Sequence, residues 1–159
     1  RVWTCGKGVY AEPVAEMALT LGVAGLRNVG AYARAAEWSR PAGRNLLNGN
    51  VTILGGGGIT ESLVRLLQPW NCRITVVRSQ VQAMDGVDDV LAADRYADAL
   101  PGADLVVLAL ALTPDTEAMF GGDECALMEQ HAWIVNVEPN LEPIALAEVI
   151  AKLREAGGQ

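Results

Sequence analysis

The sequence predicts an α/β domain, a doubly wound parallel sheet of about five strands in a three-layer αβα arrangement. Three observations carry this expectation. Short apolar strand candidates alternate with helix candidates from residue 51 onward, and parallel neighbours need such crossover helices. The run DLVVLALAL, residues 104–112, is continuously apolar, as expected for a strand covered on both faces. The stretch VTILGGGGITESL, from Val51, sets four consecutive glycines between a β-branched run and a helical pattern.

At 159 residues the chain fits one domain, long enough to bury a core. Hydrophobic residues make up 51% and charged residues 19%, a globular and not a disordered composition. A net charge of −7 with scattered basic residues argues against a nucleic-acid partner, which needs clustered Lys and Arg. Cys5, Cys72 and Cys125 lie far apart without CxxC spacing, which fits a reducing, cytoplasmic setting better than a disulfide framework. The one histidine, His131, shares no ligand spacing with them, so no metal site is expected. The chain starts at Arg1 without a signal-peptide pattern and reads as an excised or processed piece; an omitted Met would look the same. Residues 13–26 are apolar nearly all round but contain Glu16 and are too short to span a bilayer. They read as a buried helix, with no membrane partner.

The single domain, 1–159, divides into an N-terminal helix and connector over 1–49, a βαβ core over 50–137 and a C-terminal helix over 141–156. The first helix candidate is long, residues 12–36, opened by Pro13 at a position that suits helix N1. Gly22, Gly25 and Gly30 weaken it as an isolated helix and leave flat patches where another helix could approach closely. Separately, one domain rarely covers so apolar a helix completely, which points to a homodimer through this element. SRPAGRNLLNGN, residues 39–50, is a connector dense in Pro, Gly and Asn. VTIL is a strand. ITESLVRLLQPW is a helix with Ile59, Leu63, Leu66, Leu67 and Trp70 at helical spacing. RITVV is the next strand, VDDVL a short one, and RYADALPGA is helix-like. After the apolar run, TPDTEAMF and DECALMEQ suggest two short helices and AWIVNV a buried strand. PIALAEVIAKLREA is a final helix stopped by Gly157-Gly158.

The glycines have a chemical reason to be where they are. The turn from first strand to first helix can seat a pyrophosphate on unpaired N–H groups at the positive end of the helix dipole. A side chain there would hold the phosphates off, hence the G-x-G-x-x-G loop of Rossmann-type domains. Gly55 and Gly57 supply its first two positions; Thr60 takes the third, and Gly58 offsets part of that departure. With Gly56 and Ile59 they form the loop expected to hold a nicotinamide dinucleotide. Arg78 and Ser79 follow the second strand, where an acidic residue would mark NAD. A cation there favours the 2′-phosphate of NADP, and a solvated strand-end Arg is the alternative, so NAD or NADP both stay open. Asp115, Glu117, Asp123 and Glu124 read as helix N-terminal carboxylates, and Glu148 with Lys152 as a solvated i,i+4 pair.

Several segments together resemble one family, the D-isomer-specific 2-hydroxyacid dehydrogenases. YAEPVAEMAL, VTILGGGGITESL, ALPGADLVVLALALTPDTEAMF and HAWIVNV occur in the family's order and span roughly residues 3–137. Ala111 stands where the family's P-L-T-P-x-T has its first proline. The resemblance implies an NAD(P)-binding domain inserted into a smaller substrate domain, with the active site in the cleft and hydride passing between nicotinamide and substrate C2. It implies an Arg that holds the substrate carboxylate and a His, assisted by an acid, that handles the hydroxyl proton. It also implies that Ala109, Leu110 and Thr113, after the fourth strand, and Asn136 and Val137, at the end of the fifth, line the cofactor site.

No catalytic residue carries over. Where the family has A-R-G, this sequence reads Glu138-Pro139-Asn140, and proline cannot make the bidentate carboxylate grip of arginine. The catalytic Glu and His would lie beyond the last helix. His131 falls where the family has a turn residue, and reads as structural. Strong helix formers with matched start and stop signals make the final segment resemble a designed cap, as if a dinucleotide domain had been cut out and its C-terminal segment rewritten. Three readings stay open at the sequence level. The chain is a nucleotide-binding module without catalytic groups, a dehydrogenase completed by a separate substrate domain, or a dimerising scaffold with a vestigial site.

Overall fold

In the computed structural model, the described residues are 8–111, 113, 114, 116 and 119–137. Cys5, Asp115, Glu117, Glu138, Pro139 and the expected C-terminal helix over 141–156 lie outside them.

The strands are β1 (Asn50–Leu54), β2 (Arg73–Arg78), β3 (Asp89–Ala92), β4 (Leu105–Leu108) and β5 (Trp133–Asn136). They form one parallel sheet in the order β3-β2-β1-β4-β5. Alternate residues point to opposite faces, and each face has its own core. Val51, Ile53, Ile74, Val76, Leu105, Val107 and Val135 pack with helices α1 (Ala11–Leu26) and α3 (Gly58–Leu67). Leu54, Val77, Val106 and Leu108 pack on the other side with Leu100, Ala103 and Phe120. The middle strands are therefore covered on both faces, as their apolar runs require. This is the expected Rossmann-type three-layer arrangement.

Several local expectations need correction. The long helix over 12–36 is two helices, α1 and α2 (Val29–Arg34). Asn28 breaks it in the left-handed region with φ 54°, which Asn tolerates because its side chain can bond locally. Pro13 is the third residue of α1, still within the first turn, where no intrahelical N–H is missed. Gly22 and Gly25 do not offer patches to another helix. A Cβ at Gly22 would lie 2.7 Å from a Leu105 methyl, and one at Gly25 would overlap the Trp133 indole, so both glycines seat α1 on its own sheet. The apolar run over 104–112 is strand only from Leu105 to Leu108. RYADALPGA, residues 95–103, expected as helix, is instead entered by a 3₁₀ segment over 93–99 that has Arg95 outside helical backbone. TPDTEAMF shows turns and no helix at its described residues; DECALMEQ contributes α4 (Gly122–Leu127).

The amino-terminal edge of the sheet is tied by Asp104. It accepts the Asn50 N–H at 2.8 Å, lies 2.9 Å from His131 Nε2, and pairs with Arg44 at 3.5 Å. Partial burial pushes its carboxyl up, but the Asn50 N–H, His131 and Arg44 outweigh this and hold it below the ordinary carboxylate range. A depressed folded value stabilises the native state above the unfolded value near pH ~4, and that gain drains as pH falls through the folded value. The side chain is 14% exposed, so solvent screens these bonds little. Asp104→Asn is expected to cost about 1–2 kcal/mol at neutral pH and to flatten the acid limb of melting temperature against pH. An acid limb unchanged in the variant would contradict this account.

Candidate functional site

A parallel sheet delivers the carboxyl ends of all its strands to one edge, and this is where such folds bind ligands. Here that edge gathers the sequence-predicted residues from four strands. Gly55–Gly58 follow β1, Arg78 ends β2 with Ser79 after it, Ala109 and Leu110 follow β4, and Asn136 and Val137 close β5. The ladder runs one residue past the strand ends. Gly55 N–H donates to the Val77 carbonyl at 2.8 Å, Ala109 N–H to Leu54 at 2.8 Å, and Val137 N–H to Leu108 at 3.0 Å. Thr113 is exposed in the turn beyond Leu110.

The four glycines differ in what they do. Gly55 is buried with φ 119°, and a Cβ on it would overlap the Ala109 carbonyl oxygen. Only glycine lets β1 turn away so close to the chain leaving β4. Gly57 caps α3 without any side-chain cap, and a Cβ there would meet nothing within 4 Å. The first bond closing the helix comes from Glu61 N–H to the Gly57 carbonyl at 3.1 Å. The N–H groups of residues 58–60 therefore precede the helical ladder at the positive end of its dipole. Open space beside uncovered N–H donors suits a diphosphate. Gly58 faces the start of α1, with Ala11 Cβ 3.4 Å from where its own would be.

Thr60, which replaces the third glycine, does not cross the open space. It is fully buried, and its hydroxyl donates to the Gly55 carbonyl at 2.8 Å. The hydroxyl thus ties the first turn of α3 back to the loop in place of the close packing a glycine would allow. Ile59 packs at the rim of the α1–α3 core.

Arg78 is half-buried, and its side chain runs along Gly56. Among the described residues no carboxylate pairs with its guanidinium. Two contacts here escape sequence reasoning. One is this approach of Arg78 to the loop. The other is Thr116, whose hydroxyl donates to the Ala111 carbonyl at 2.7 Å and accepts the Thr113 N–H at 2.8 Å, shaping the turn that presents Thr113. The T-P-x-T spacing was its only sequence signal. Glu124 is used structurally, accepting from the Gly121 N–H and the Tyr96 hydroxyl. His131 sits at the opposite edge of the sheet, with Asp104.

Comparison with known proteins agrees with this geometry. Residues 17–139 match the family model for the NAD binding domain of D-isomer specific 2-hydroxyacid dehydrogenases. An uncharacterized protein in the proB 3′ region of Corynebacterium melassecola is 33% identical over 141 residues, which cover 85% of this chain and 46% of that protein. A glycerate dehydrogenase related protein from Thermoplasma acidophilum superposes with a TM-score of 0.74 at 27% identity, over 93% of this chain and 52% of that one. A D-isomer specific 2-hydroxyacid dehydrogenase from Xanthobacter autotrophicus, solved with NADPH, shares the fold with a TM-score of 0.78 at 23% identity, covering 92% and 62%. The chain thus spans about half the length of the first two relatives. With its glycine loop on the carboxyl edge of a 3-2-1-4-5 sheet, the chain belongs to the D-isomer-specific 2-hydroxyacid dehydrogenase family, as its NAD-binding domain.

Proposed function

We propose that residues 55–60 hold the diphosphate of a nicotinamide dinucleotide and that Arg78 and Ser79 hold a 2′-phosphate, so that NADP is preferred to NAD. Ala109, Leu110, Thr113, Asn136 and Val137 line the rest of the cofactor cleft. The observation that carries this reading is a half-buried Arg78, without a carboxylate partner among the described residues, lying against the bare glycine loop. In an NAD site a carboxylate at this strand end would bond the ribose hydroxyls; a cation instead complements phosphate.

The module is catalytically incomplete in its own residues, because Pro139 stands where the family's arginine grips the substrate carboxylate. A second reading draws on the half-length match: the chain works as a reductase of 2-keto acids together with a separate substrate domain. Turnover of a 2-keto acid with NADPH by the purified chain alone would overturn the incomplete reading. We also propose a homodimer through the outward face of α1, where Met17 and Leu21 are exposed, with Tyr10 exposed just before it. Apolar residues grouped on one surface mark association, and a monomer in sedimentation equilibrium would remove this proposal. Among the described residues no helix is long and apolar enough to cross a membrane.

Titration with NAD, NADH, NADP and NADPH, followed by melting temperature, tests the central reading, since a ligand of the native state must raise its stability. Tighter binding of NADPH than NADH is expected, and Arg78→Ala should weaken NADPH by about 10–100-fold. An unmoved melting curve with all four nucleotides overturns the reading and favours the scaffold. Equal binding of NADPH and NADH removes the NADP preference alone.

A further inference from the structure

The x between the first two glycines of a G-x-G-x-x-G loop makes no demand for glycine, yet residue 56 is one. Its backbone does not require it either. Among the loop glycines only Gly55 has a positive φ. The reason lies across the loop. A Cβ on Gly56 would come within 2.8 Å of both Cβ and Nε of Arg78 and 3.0 Å of its Cδ. The same construction on Gly57 meets nothing within 4 Å. Gly57 leaves room for a ligand, whereas Gly56 leaves room for Arg78.

Arg78 cannot simply retreat. It pairs with Ala92 of β3, and the Val77 carbonyl just before it accepts the Gly55 N–H at 2.8 Å. The guanidinium end is flexible, but Cβ is fixed by that ladder. A methyl on residue 56 would therefore press on the root of the side chain and turn its outer part off the loop. As it stands, the stem lies along bare backbone, which restricts the rotamers of a long side chain before any ligand arrives. Restricting them in advance lowers the ordering cost at binding.

We infer that Gly56 is a specificity-determining residue: its missing side chain forms the track along which Arg78 lies, and so serves recognition of a 2′-phosphorylated nucleotide and not of the diphosphate. This inference rests on the reading of Arg78 given above. It assigns separate tasks to two adjacent glycines, Gly56 to the cofactor's phosphate mark and Gly57 to its diphosphate.

The test uses the full chain with three variants: Gly56→Ala, Arg78→Gly and the two combined. Dissociation constants for NADPH and NADH are measured for each, with a melting curve to report folding. Gly56→Ala is expected to lower the NADPH-to-NADH affinity ratio about tenfold. In the Arg78→Gly background the three crowded atoms are gone, so adding Gly56→Ala should leave that ratio where it stands. If Gly56→Ala alone fails to fold, a melting curve restored in the combined variant upholds the crowding of Arg78 by residue 56, and one that is not restored overturns it. A Gly56→Ala effect equal for both nucleotides, or one that persists after Arg78→Gly, overturns the inference. If the unaltered chain binds neither nucleotide or binds both alike, the underlying reading of Arg78 falls and takes this inference with it. If the unaltered chain prefers NADPH and Gly56→Ala keeps that preference, only the role of Gly56 is lost.

Discussion

Gly55→Ala is expected to cost about 3–5 kcal/mol of folding stability, read as a shift of the denaturant midpoint, because strain and overlap act together. Residue 55 has φ 119°, a conformation that disfavours any Cβ. The added methyl would also overlap the Ala109 carbonyl oxygen and come within 2.7 Å of its carbon and 3.2 Å of Leu110 N. These are backbone atoms, so no side chain can rotate away. Each is held in turn: Ala109 N–H bonds to Leu54, Gly55 N–H to Val77, and the Gly55 carbonyl accepts from Thr60. Two residues along, Gly57 has nothing within 4 Å and φ −91°. Gly57→Ala should leave stability within about 0.5 kcal/mol while its methyl obstructs the space beside the helix N–H groups and weakens nucleotide binding. The pair separates structure from ligand binding inside one loop. A Gly55→Ala protein that unfolds at the wild-type midpoint would refute the account.

The same contrast explains what the sequence made legible. Strand–helix alternation placed β1, β2, β4 and β5, because the apolar runs of a sheet covered on both faces are local in sequence. The glycine loop was legible for the same reason, its strand and helix being its immediate neighbours. Features that depend on approach between distant segments were not. Nothing local marks Asn28 as a helix break, since asparagine is only a moderately poor helix former; the break comes with the chain's return, where Arg44 N–H bonds the Leu26 carbonyl at 2.7 Å. That Gly56 accommodates Arg78, and that Thr60 replaces a packing glycine with a hydroxyl bond, follows only once β2 and α3 are brought to the same edge. The glycines of α1 show the commonest ambiguity: a small residue announces close approach but not by what.

That ambiguity gives the second large effect. Leu105 is fully buried at the start of β4, and its two methyls lie 2.7 and 2.9 Å from where a Gly22 Cβ would be. Leu105→Ala should cost about 2–5 kcal/mol, the transfer term plus the cavity it leaves under α1. Gly22→Ala alone has opposing parts: crowding against Leu105 costs about 1–3 kcal/mol, while replacing a mid-helix glycine returns about 1 kcal/mol. Combined, the new methyl enters the space that the leucine vacated and keeps its helix-propensity gain. The double variant is therefore expected to be more stable than Leu105→Ala, with a coupling of at least about 1 kcal/mol in the cycle. If Gly22 instead served a second copy of the helix, Gly22→Ala would change the sedimentation of the chain and its energy would add to that of Leu105→Ala without coupling. Simple additivity would thus return the glycines to an interface and remove the seat on β4. Coupling leaves the exposed Met17 and Leu21, and not the glycines, as the α1 surface for the dimer proposed above.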